Sequence, residues 1–206
     1  MATAVDEGVI KYLSQRRPGP IAPSPGLAEL NAARIALFDL GLIGAYSDGV
    51  GYGNLSLRAQ GDAFVITGSA TGSQRTLEPA QYALVEAFSV DANWVRAVGA
   101  MDASSESMTH GVIYQSNAQV QCVIHVHSRQ VFDGFLQNEG ALSTAAEIAY
   151  GTPAMARAVA QLVLAQPQLP VLFAMRGHDE GLVAYGADVA SAAALLVNEL
   201  ERSFTP

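Results

Sequence analysis

Two histidines, His125 and His127, lie one residue apart in an apolar segment, VIHVH at residues 123–127. Such a segment predicts a β-strand. Side chains two positions apart on a strand share a face, so both imidazoles lie close enough to hold one ion, while Cys122 faces the opposite side. Imidazole is a common ligand of zinc and related metals. The pair therefore indicates a metal site, whereas a single histidine in a strand would favour a structural role.

An acidic residue precedes this strand at a predicted helix start. Ser104, Ser105 and Glu106 suit the first turn of a helix, because serine is a good N-cap and an acid there complements the helix dipole. Glu106 and His110 are four positions apart and share one helical face. A helix, a short loop and the histidine strand can thus bring a carboxylate and two imidazoles together. On its own, Glu106 would be interpreted as a helix-end charge.

A third histidine follows a second apolar segment, residues 169–175. His178 lies in a polar turn at residues 176–181, and residues 182–185 predict the returning strand. Three imidazoles leave one position open for water or substrate, which is how catalytic zinc sites are usually built. Alone, His178 would be interpreted as a polar turn residue.

The order of these motifs resembles that of the class II aldolase/adducin family over residues 27–200. The matching motifs are GNLSLR at 53–58, ITGS at 66–69, SSE at 104–106 with His110, HVHS at 125–128, GTP at 151–153, and His178 with Gly181. The resemblance implies that His125, His127 and His178 bind a divalent metal, most often Zn²⁺, with Mn²⁺, Co²⁺ or Fe²⁺ as alternatives. It implies that Glu106 is the acid/base catalyst. Because His110 shares a helical face with Glu106, we expect it to have a supporting role rather than to contact the substrate.

The same resemblance implies a phosphate-binding site formed by Asn54, Thr67, Gly68, Ser104 and Ser105. Hydroxyls and amides at a helix N-terminus favour anions, which agrees with the two serines. One departure concerns the threonine motif, because many family members have a proline after the threonine, whereas this chain has TGSATG at residues 67–72. This longer, more flexible run keeps an unphosphorylated acid or sugar open as the substrate.

Two further departures lie near the histidines. The family's catalytic tyrosine, offered to a neighbouring subunit, has no convincing counterpart between His127 and Gly151, and Tyr150 belongs to a different motif. The turn after His178 is two residues longer than usual. Its added acids, Asp179 and Glu180, could line the site, although solvated turn charges are the simpler interpretation.

Composition limits the function classes. The 206 residues, half of them hydrophobic and 15% charged, suit one domain with a sizeable core. A net charge of −8 argues against nucleic acid and anionic membranes as partners. The single cysteine excludes an internal disulfide and fits a reducing cytoplasm. The first residues lack a signal-peptide pattern, and no apolar stretch approaches the ~20 residues that span a bilayer.

The predicted architecture has an arm and a domain. Residues 1–26 predict a short helix, at 6–17, and a proline-rich arm, and residues 27–206 form the aldolase/adducin-like domain. At least six strands and four helices are expected, and adjacent hairpins imply a mainly antiparallel sheet. The family resemblance implies the same fold class: α/β, with three α/β/α layers. It also implies a homo-oligomer, with a tetramer favoured.

The expected function is that of a metal-dependent, aldolase-like lyase. The substrate would be a small hydroxy-carbonyl compound (a sugar, sugar phosphate or sugar acid) that reacts through a metal-stabilised enediolate while Glu106 moves a proton. Epimerases, dehydratases and decarboxylases share this intermediate and stay open. A zinc hydrolase and a non-catalytic, adducin-like binding domain are alternatives of other classes. Retention of three ligand histidines and Glu106 argues against the binding domain.

Overall fold

The computed structural model describes residues 8–22 and 24–204. The strands are β1 (Leu13–Arg17), β2 (Gly44–Ala45), β3 (Gly51–Tyr52), β4 (Asn54–Arg58), β5 (Phe64–Thr67), β6 (Tyr82–Ser89), β7 (Trp94–Gly99), β8 (Cys122–His127), β9 (Val171–Ala174) and β10 (Gly181–Gly186). The α-helices are α1 (Leu27–Asp39), α2 (Ser107–Ser116), α3 (Arg129–Leu136), α4 (Pro153–Ala165) and α5 (Val189–Ser203). None of the helices in this described part is long and apolar enough to cross a bilayer.

Eight strands form one sheet. Their order is β1-β7-β6-β5-β4-β8-β10-β9, and β2 and β3 pair separately. Every pair in the large sheet is antiparallel except β1 with β7, so the predicted mainly antiparallel sheet is confirmed. The histidine strand β8 lies in the interior of the sheet between β4 and β10, and all six of its residues are buried.

Two hydrophobic cores lie on opposite faces of this sheet. One core contains residues of α2 and α4, and the other contains residues of α1, α3 and α5. Strand β8 divides its side chains between them, with Val123 in the first core and Cys122, Ile124 and Val126 in the second. This alternation follows from the two-residue period of a strand. The predicted three layers are confirmed, and Cys122 faces away from the histidines as expected.

The N-terminal helix predicted at residues 6–17 is wrong for the described residues. Leu13–Arg17 form strand β1, which pairs in parallel with Trp94 to Val98 at the edge of the sheet, whereas residues 6 and 7 lie outside the described part. An unpaired edge of β7 offers backbone hydrogen bonds that a short surface helix could not match. The division into an arm and a domain at residue 27 stays a prediction, although β1 belongs to the same sheet.

Candidate active site

The three predicted metal ligands lie together at one end of the sheet. One potential ligand atom from each of His125, His127 and His178 lies within 4.8 Å of those of the other two, and all three residues are buried. The ring of His178 is centred 4.9 Å from that of His125 and 4.6 Å from that of His127. Histidines that are far apart in the sequence therefore share one buried space.

Strand pairing explains this convergence. Strand β10 runs antiparallel to β8 with Gly181 opposite His127, so the turn before β10 lies directly over the histidine end of β8. A side chain at Gly181 would stand 2.9 Å from the carbonyl of His178 and 3.1 Å from Cε1 of His125. Glycine is required there because the two histidines leave no space for a Cβ atom.

The tautomer of His125 suits metal binding. Nδ1 of His125 donates to the carbonyl of Leu182 at 3.0 Å, which leaves the lone pair of that ring on Nε2. The Nε2 atoms of His125 and His127 are 2.9 Å apart. Two lone pairs cannot face each other at this distance, so either a proton or a cation must lie between the nitrogens. This donor set fits a divalent metal such as zinc.

Burial also keeps these imidazoles in their ligand form. Desolvation, followed by the neighbouring histidines, holds the pKa of His125 and of His127 well below the ordinary value. A neutral imidazole is the form that coordinates a metal. Near neutral pH these two rings are therefore ready to bind a cation without first losing a proton to solvent.

Glu106 lies beside the histidines, as predicted. Its Oε1 is 3.8 Å from Nδ1 of His178, and both side chains are 2% exposed. Glu106 is itself the N-cap residue of α2, and Ser104 lies two residues before it. Thr109 donates its hydroxyl to Oε2 of Glu106 at 2.8 Å. Sequence reasoning missed Thr109, although its position three residues after Glu106 on a helix could have identified it.

His110, the predicted supporting residue, makes a different contact. Its Nδ1 lies 2.7 Å from the hydroxyl of Ser56, which in turn lies 2.8 Å from the hydroxyl of Tyr114. Burial lowers the pKa of His110 to about 3. The side chain therefore joins helix α2 to strand β4 as a neutral group, and Thr109 is the helix residue that holds the Glu106 carboxylate.

A polar cavity next to this carboxylate contains most of the predicted anion-binding residues. It is lined by Gly8, Gly51, Gly53, Asn54, Gly68, Ser69, Ala70, Thr71, Gly72, Ser104 and Ser105. Thr67 is not part of the lining, because its hydroxyl accepts from the backbone N–H of Leu55. Oδ1 of Asn54 is buried with no hydrogen-bond partner among the described residues. A lining of glycine backbone and serine hydroxyls suits an anion, whereas the unpaired Oδ1 of Asn54 is an acceptor and suits a hydroxyl of the substrate.

The loop at residues 67–75 is firmly held. Arg34, which is 1% exposed, donates to the carbonyls of Thr71 at 2.8 Å and Arg75 at 2.9 Å. A Cβ atom on Gly72 would stand 2.7 Å from the backbone of Gly51. These contacts tie the run to α1 and β3, whereas its expected flexibility stays a prediction, and the guanidinium of Arg34 supplies a buried positive charge behind the cavity.

Two tyrosines contact the histidines without any clear signal in the sequence. The Tyr150 ring stacks on His178 with the centroids 4.1 Å apart, and Nζ of Lys11 lies 3.7 Å from the centre of the Tyr150 ring. The hydroxyl of Tyr46 lies 2.8 Å from Nδ1 of His127. The GTP motif after Tyr150 could have drawn attention to that tyrosine, whereas nothing in the sequence connects Tyr46 with β8.

Fold and site together define a class of protein: a three-layer α/β/α domain with a buried histidine triad beside a carboxylate. The family model "Class II Aldolase and Adducin N-terminal domain" matches residues 35–205. The chain therefore belongs to this family, whose aldolases use divalent metals.

Solved structures share the fold at low sequence identity. L-fuculose-1-phosphate aldolase from Thermus thermophilus is 23% identical, with a TM-score of 0.61, and the match covers 85% of this chain and 89% of that one. Another L-fuculose 1-phosphate aldolase is 19% identical, with a TM-score of 0.64 and coverages of 89% and 84%. A sugar-phosphate aldolase from Thermotoga maritima is 17% identical, with a TM-score of 0.58 and coverages of 86% and 96%. A search of curated proteins gives no significant match.

Proposed function

We propose that this protein is a metal-dependent carbon–carbon lyase of the aldehyde-lyase type, acting on a small hydroxy-carbonyl compound such as a sugar, sugar phosphate or sugar acid. The observation that carries the proposal is the juxtaposition of Glu106 and His178 at 3.8 Å, inside a buried cluster of three imidazoles. A carboxylate buried beside potential metal ligands is the arrangement that proton transfer next to a polarised carbonyl requires.

His125, His127 and His178 would hold the divalent metal. Zn²⁺ is favoured on chemical grounds, with Mn²⁺, Co²⁺ or Fe²⁺ as alternatives. When bound, the metal supplies Lewis-acid stabilisation of negative charge on substrate oxygens. The three residues contribute neutral nitrogen donors, and the hydrogen bond from His125 to Leu182 fixes one of the rings.

Glu106 would move the proton in this reaction. Thr109 holds one carboxylate oxygen by a hydrogen bond of 2.8 Å, while the other oxygen faces His178. A carboxylate fixed at one oxygen presents the other in a defined direction, which favours transfer to and from a single substrate atom. Proton transfer by a positioned side chain is typically worth ~10²- to 10⁴-fold in rate.

The polar cavity would bind the anionic end of the substrate, a phosphate or carboxylate. Asn54 pairs with His125 across adjacent strands, and Ser104 and Ser105 immediately precede Glu106, so the cavity and the histidines adjoin. We include Thr67 and Gly68 in this anion site, with Thr67 in a supporting position behind the lining. Hydroxyls and amides at the start of a helix favour anions, and Arg34 adds a buried charge.

The chain is also proposed to form a homo-oligomer, with a tetramer favoured, and to act in the cytoplasm. Members of the family are often oligomers. The single cysteine, Cys122, is buried, which agrees with a reducing compartment. The formal net charge of −8 supports a small-molecule substrate rather than nucleic acid or an anionic membrane.

Elemental analysis combined with a substrate screen tests this function. The protein, purified without chelator, is analysed for metal and assayed against hydroxy-acids, ketoses and their phosphates. Glu106→Gln is expected to keep the metal and lose turnover by ~10²-fold or more. Glu199→Gln provides the matched control, because Glu199 is also buried but contacts Asn138 and Arg202 on another part of the molecule.

The outcomes separate the alternatives. Unchanged turnover in Glu106→Gln would remove this residue from the mechanism. Exchange of a proton next to a substrate carbonyl, without release of an aldehyde or ketone fragment, would indicate an epimerase, a dehydratase or a decarboxylase, which are told apart by inversion of a carbon centre, loss of water and loss of CO₂. Hydrolysis without such exchange would indicate a zinc hydrolase, and a chain that binds no metal would favour an adducin-like binding domain.

A further inference from the structure

The hydroxyl of Tyr46 lies between a proposed metal ligand and an acid of the unusually long turn. It is 2.8 Å from Nδ1 of His127 and 3.4 Å from Oε2 of Glu180. The other carboxylate oxygen of Glu180 lies 3.3 Å from Nε of Arg129. A series of polar contacts therefore connects the histidine cluster to Arg129, which lies near the protein surface.

The direction of these hydrogen bonds depends on which nitrogen of His127 carries the proton. If Nε2 carries it, Tyr46 donates its single hydroxyl proton to Nδ1. If Nε2 is a metal ligand, the proton must lie on Nδ1, which then donates to the Tyr46 oxygen. The hydroxyl proton of Tyr46 is then available to Glu180, whose ionised carboxylate can only accept. Glu180 therefore complements the metal-binding tautomer of His127.

Glu180 occupies this position against a backbone preference. Its φ angle is +64°, in the left-handed region that disfavours residues with a Cβ atom and suits glycine. Retaining a glutamate at a left-handed position requires a compensating interaction, and non-glycine residues in this region concentrate at functional sites. The carboxylate contacts with Tyr46 and Arg129 supply such an interaction.

We propose that Tyr46 and Glu180 are positioning residues for His127, which hold the ring as its Nδ1–H tautomer so that Nε2 binds the metal. This inference rests on the proposed metal site. It assigns a role to the two residues added after His178: Glu180 orients the ligand, whereas Asp179 only pairs with Arg129. Hydrogen-bonded partners of metal-bound histidines fix ring orientation and raise affinity, and their loss typically costs about 10- to 100-fold.

Matched variants separate positioning from packing. Tyr46→Phe removes the hydroxyl next to His127, whereas Tyr52→Phe removes one from a neighbouring ring whose hydroxyl donates to the carbonyl of Gly41. Glu180→Gly removes the carboxylate and relieves the backbone at the same time, and Glu180→Gln retains an acceptor oxygen. Asp179→Asn alters the same turn at an acid that pairs with Arg129.

Zn²⁺ affinity is measured by competition with a chelator, and the His127 tautomer by ¹⁵N NMR of the Zn²⁺-loaded protein, which has only four histidines to assign. We expect Tyr46→Phe and Glu180→Gly to lower affinity by about 10- to 100-fold. Glu180→Gln should lose less, and both controls should match the wild type. The Glu180→Gly protein should melt at the same temperature as the wild type or at a higher one. If Glu180 merely supported the fold, this variant would melt at a lower temperature.

The outcomes are distinguishable. Equal Zn²⁺ affinity in the wild type, Tyr46→Phe and Glu180→Gly would overturn the positioning role while leaving the metal site intact. Coordination through Nδ1 of His127 in the loaded wild type would overturn it as well. A wild-type chain that binds no Zn²⁺ or other divalent metal would overturn the proposed function, and the positioning role with it.

Discussion

The histidine cluster and the polar cavity adjoin each other but are built from different parts of the chain. The cluster consists of side chains on β8 and the following turn, brought together by the pairing of β8 with β10. The cavity consists mainly of backbone at glycines, with serine hydroxyls at the start of α2. One half therefore depends on which side chains are present, and the other on how closely two backbone segments approach.

The two halves also differ in electrostatics. Burial keeps His125 and His127 neutral, so the cluster offers lone pairs to a cation. The cavity presents amides and hydroxyls, and Arg34 donates to the carbonyls of Thr71 and Gly72 from behind it. The cluster is suited to a cation, which would bind a carbonyl, and the cavity is suited to an anion. A substrate with a carbonyl at one end and an anion at the other would match this arrangement.

The largest expected effect comes from the histidine cluster. His178→Ala removes one of three nitrogen donors but leaves the cavity intact. Zinc sites of four ligands are worth about 10–16 kcal/mol, so losing one donor should lower Zn²⁺ affinity by at least ~100-fold. Chelator competition measures this change, and binding of inorganic phosphate is expected to stay at the wild-type value. Retention of wild-type Zn²⁺ affinity would show that His178 is not a ligand.

A second variant, Gly72→Ala, changes the polar cavity and leaves the histidine cluster intact. In Gly72→Ala the new Cβ would collide with the carbonyl of Gly44 and stand 2.7 Å from the N of Tyr52, both of them backbone atoms that cannot rotate away. Overpacking of this kind costs about 1–3 kcal/mol of unfolding free energy. We expect this loss in urea titrations, together with weaker binding of phosphate to the folded protein and unchanged Zn²⁺ affinity.

Gly134→Ala is the control for this variant. Gly134 lies in α3, and the nearest atom to a new Cβ is 3.8 Å away, so alanine should stabilise the helix by up to about 1 kcal/mol. A Gly72→Ala protein as stable as the wild type, with unchanged phosphate binding, would mean that the close approach of the two loops is not needed for the cavity.

The same difference explains which parts of the site could be predicted from sequence. The alternation at residues 122–127 placed His125 and His127 on one face because a strand has a fixed period. The antiparallel sheet followed from short hairpins. The role of Arg34, by contrast, depends on a loop that returns 37 residues later, and Tyr46 reaches His127 across 81 positions. Local patterns carry no information on such contacts, so these residues were missed.

The incorrect N-terminal helix has a similar cause. Residues 13–17 contain polar and apolar side chains that suit either a short helix or an edge strand. The partner, β7, decides between them by offering a parallel edge from a distant part of the chain. Propensity is overridden by tertiary pairing here, whereas α1 buries Leu30, Arg34 and Leu37 at helical spacing, which is a local pattern.

A smaller effect is expected from His110, a buried histidine that is not a proposed metal ligand. His110 is buried and bonds Ser56, and its folded-state pKa is about 3 against an ordinary value of 6.5. Between these values the unfolded chain binds a proton that the folded chain does not, so this histidine's contribution to stability falls as pH decreases below about 6.5. From about pH 7 to pH 5 the loss from His110 is about 2 kcal/mol.

His110→Asn isolates this contribution. The amide can still reach Ser56 but does not titrate, so the variant should lose about 2 kcal/mol less than the wild type between pH 7 and pH 5. Urea titrations of the metal-free proteins at both pH values give the four unfolding free energies that are required. The same acid-induced loss in both proteins would show that His110 titrates normally in the folded state.

The smallest expected effect concerns the carboxylate of Glu106, the proposed proton-transfer group. Thr109→Val keeps the shape of the side chain and removes the O–H that donates to Oε2 of Glu106. A hydrogen bond to a charged group is worth about 1.5 kcal/mol or more, so turnover should fall by about tenfold. Zn²⁺ and phosphate binding should not change, because Thr109 belongs neither to the histidine cluster nor to the cavity lining.

Thr109→Ser provides the control, since it retains the hydroxyl and loses only the methyl group. If the hydrogen bond positions Glu106, the serine variant turns over at close to the wild-type rate and the valine variant does not. If instead the valine variant keeps the wild-type rate and the serine variant loses activity, the packing of the methyl group is the relevant contact, and the hydrogen bond to Glu106 does not set the rate. The ratio of the two rates therefore reports whether the hydroxyl of Thr109 or its methyl group supports the proposed role of Glu106.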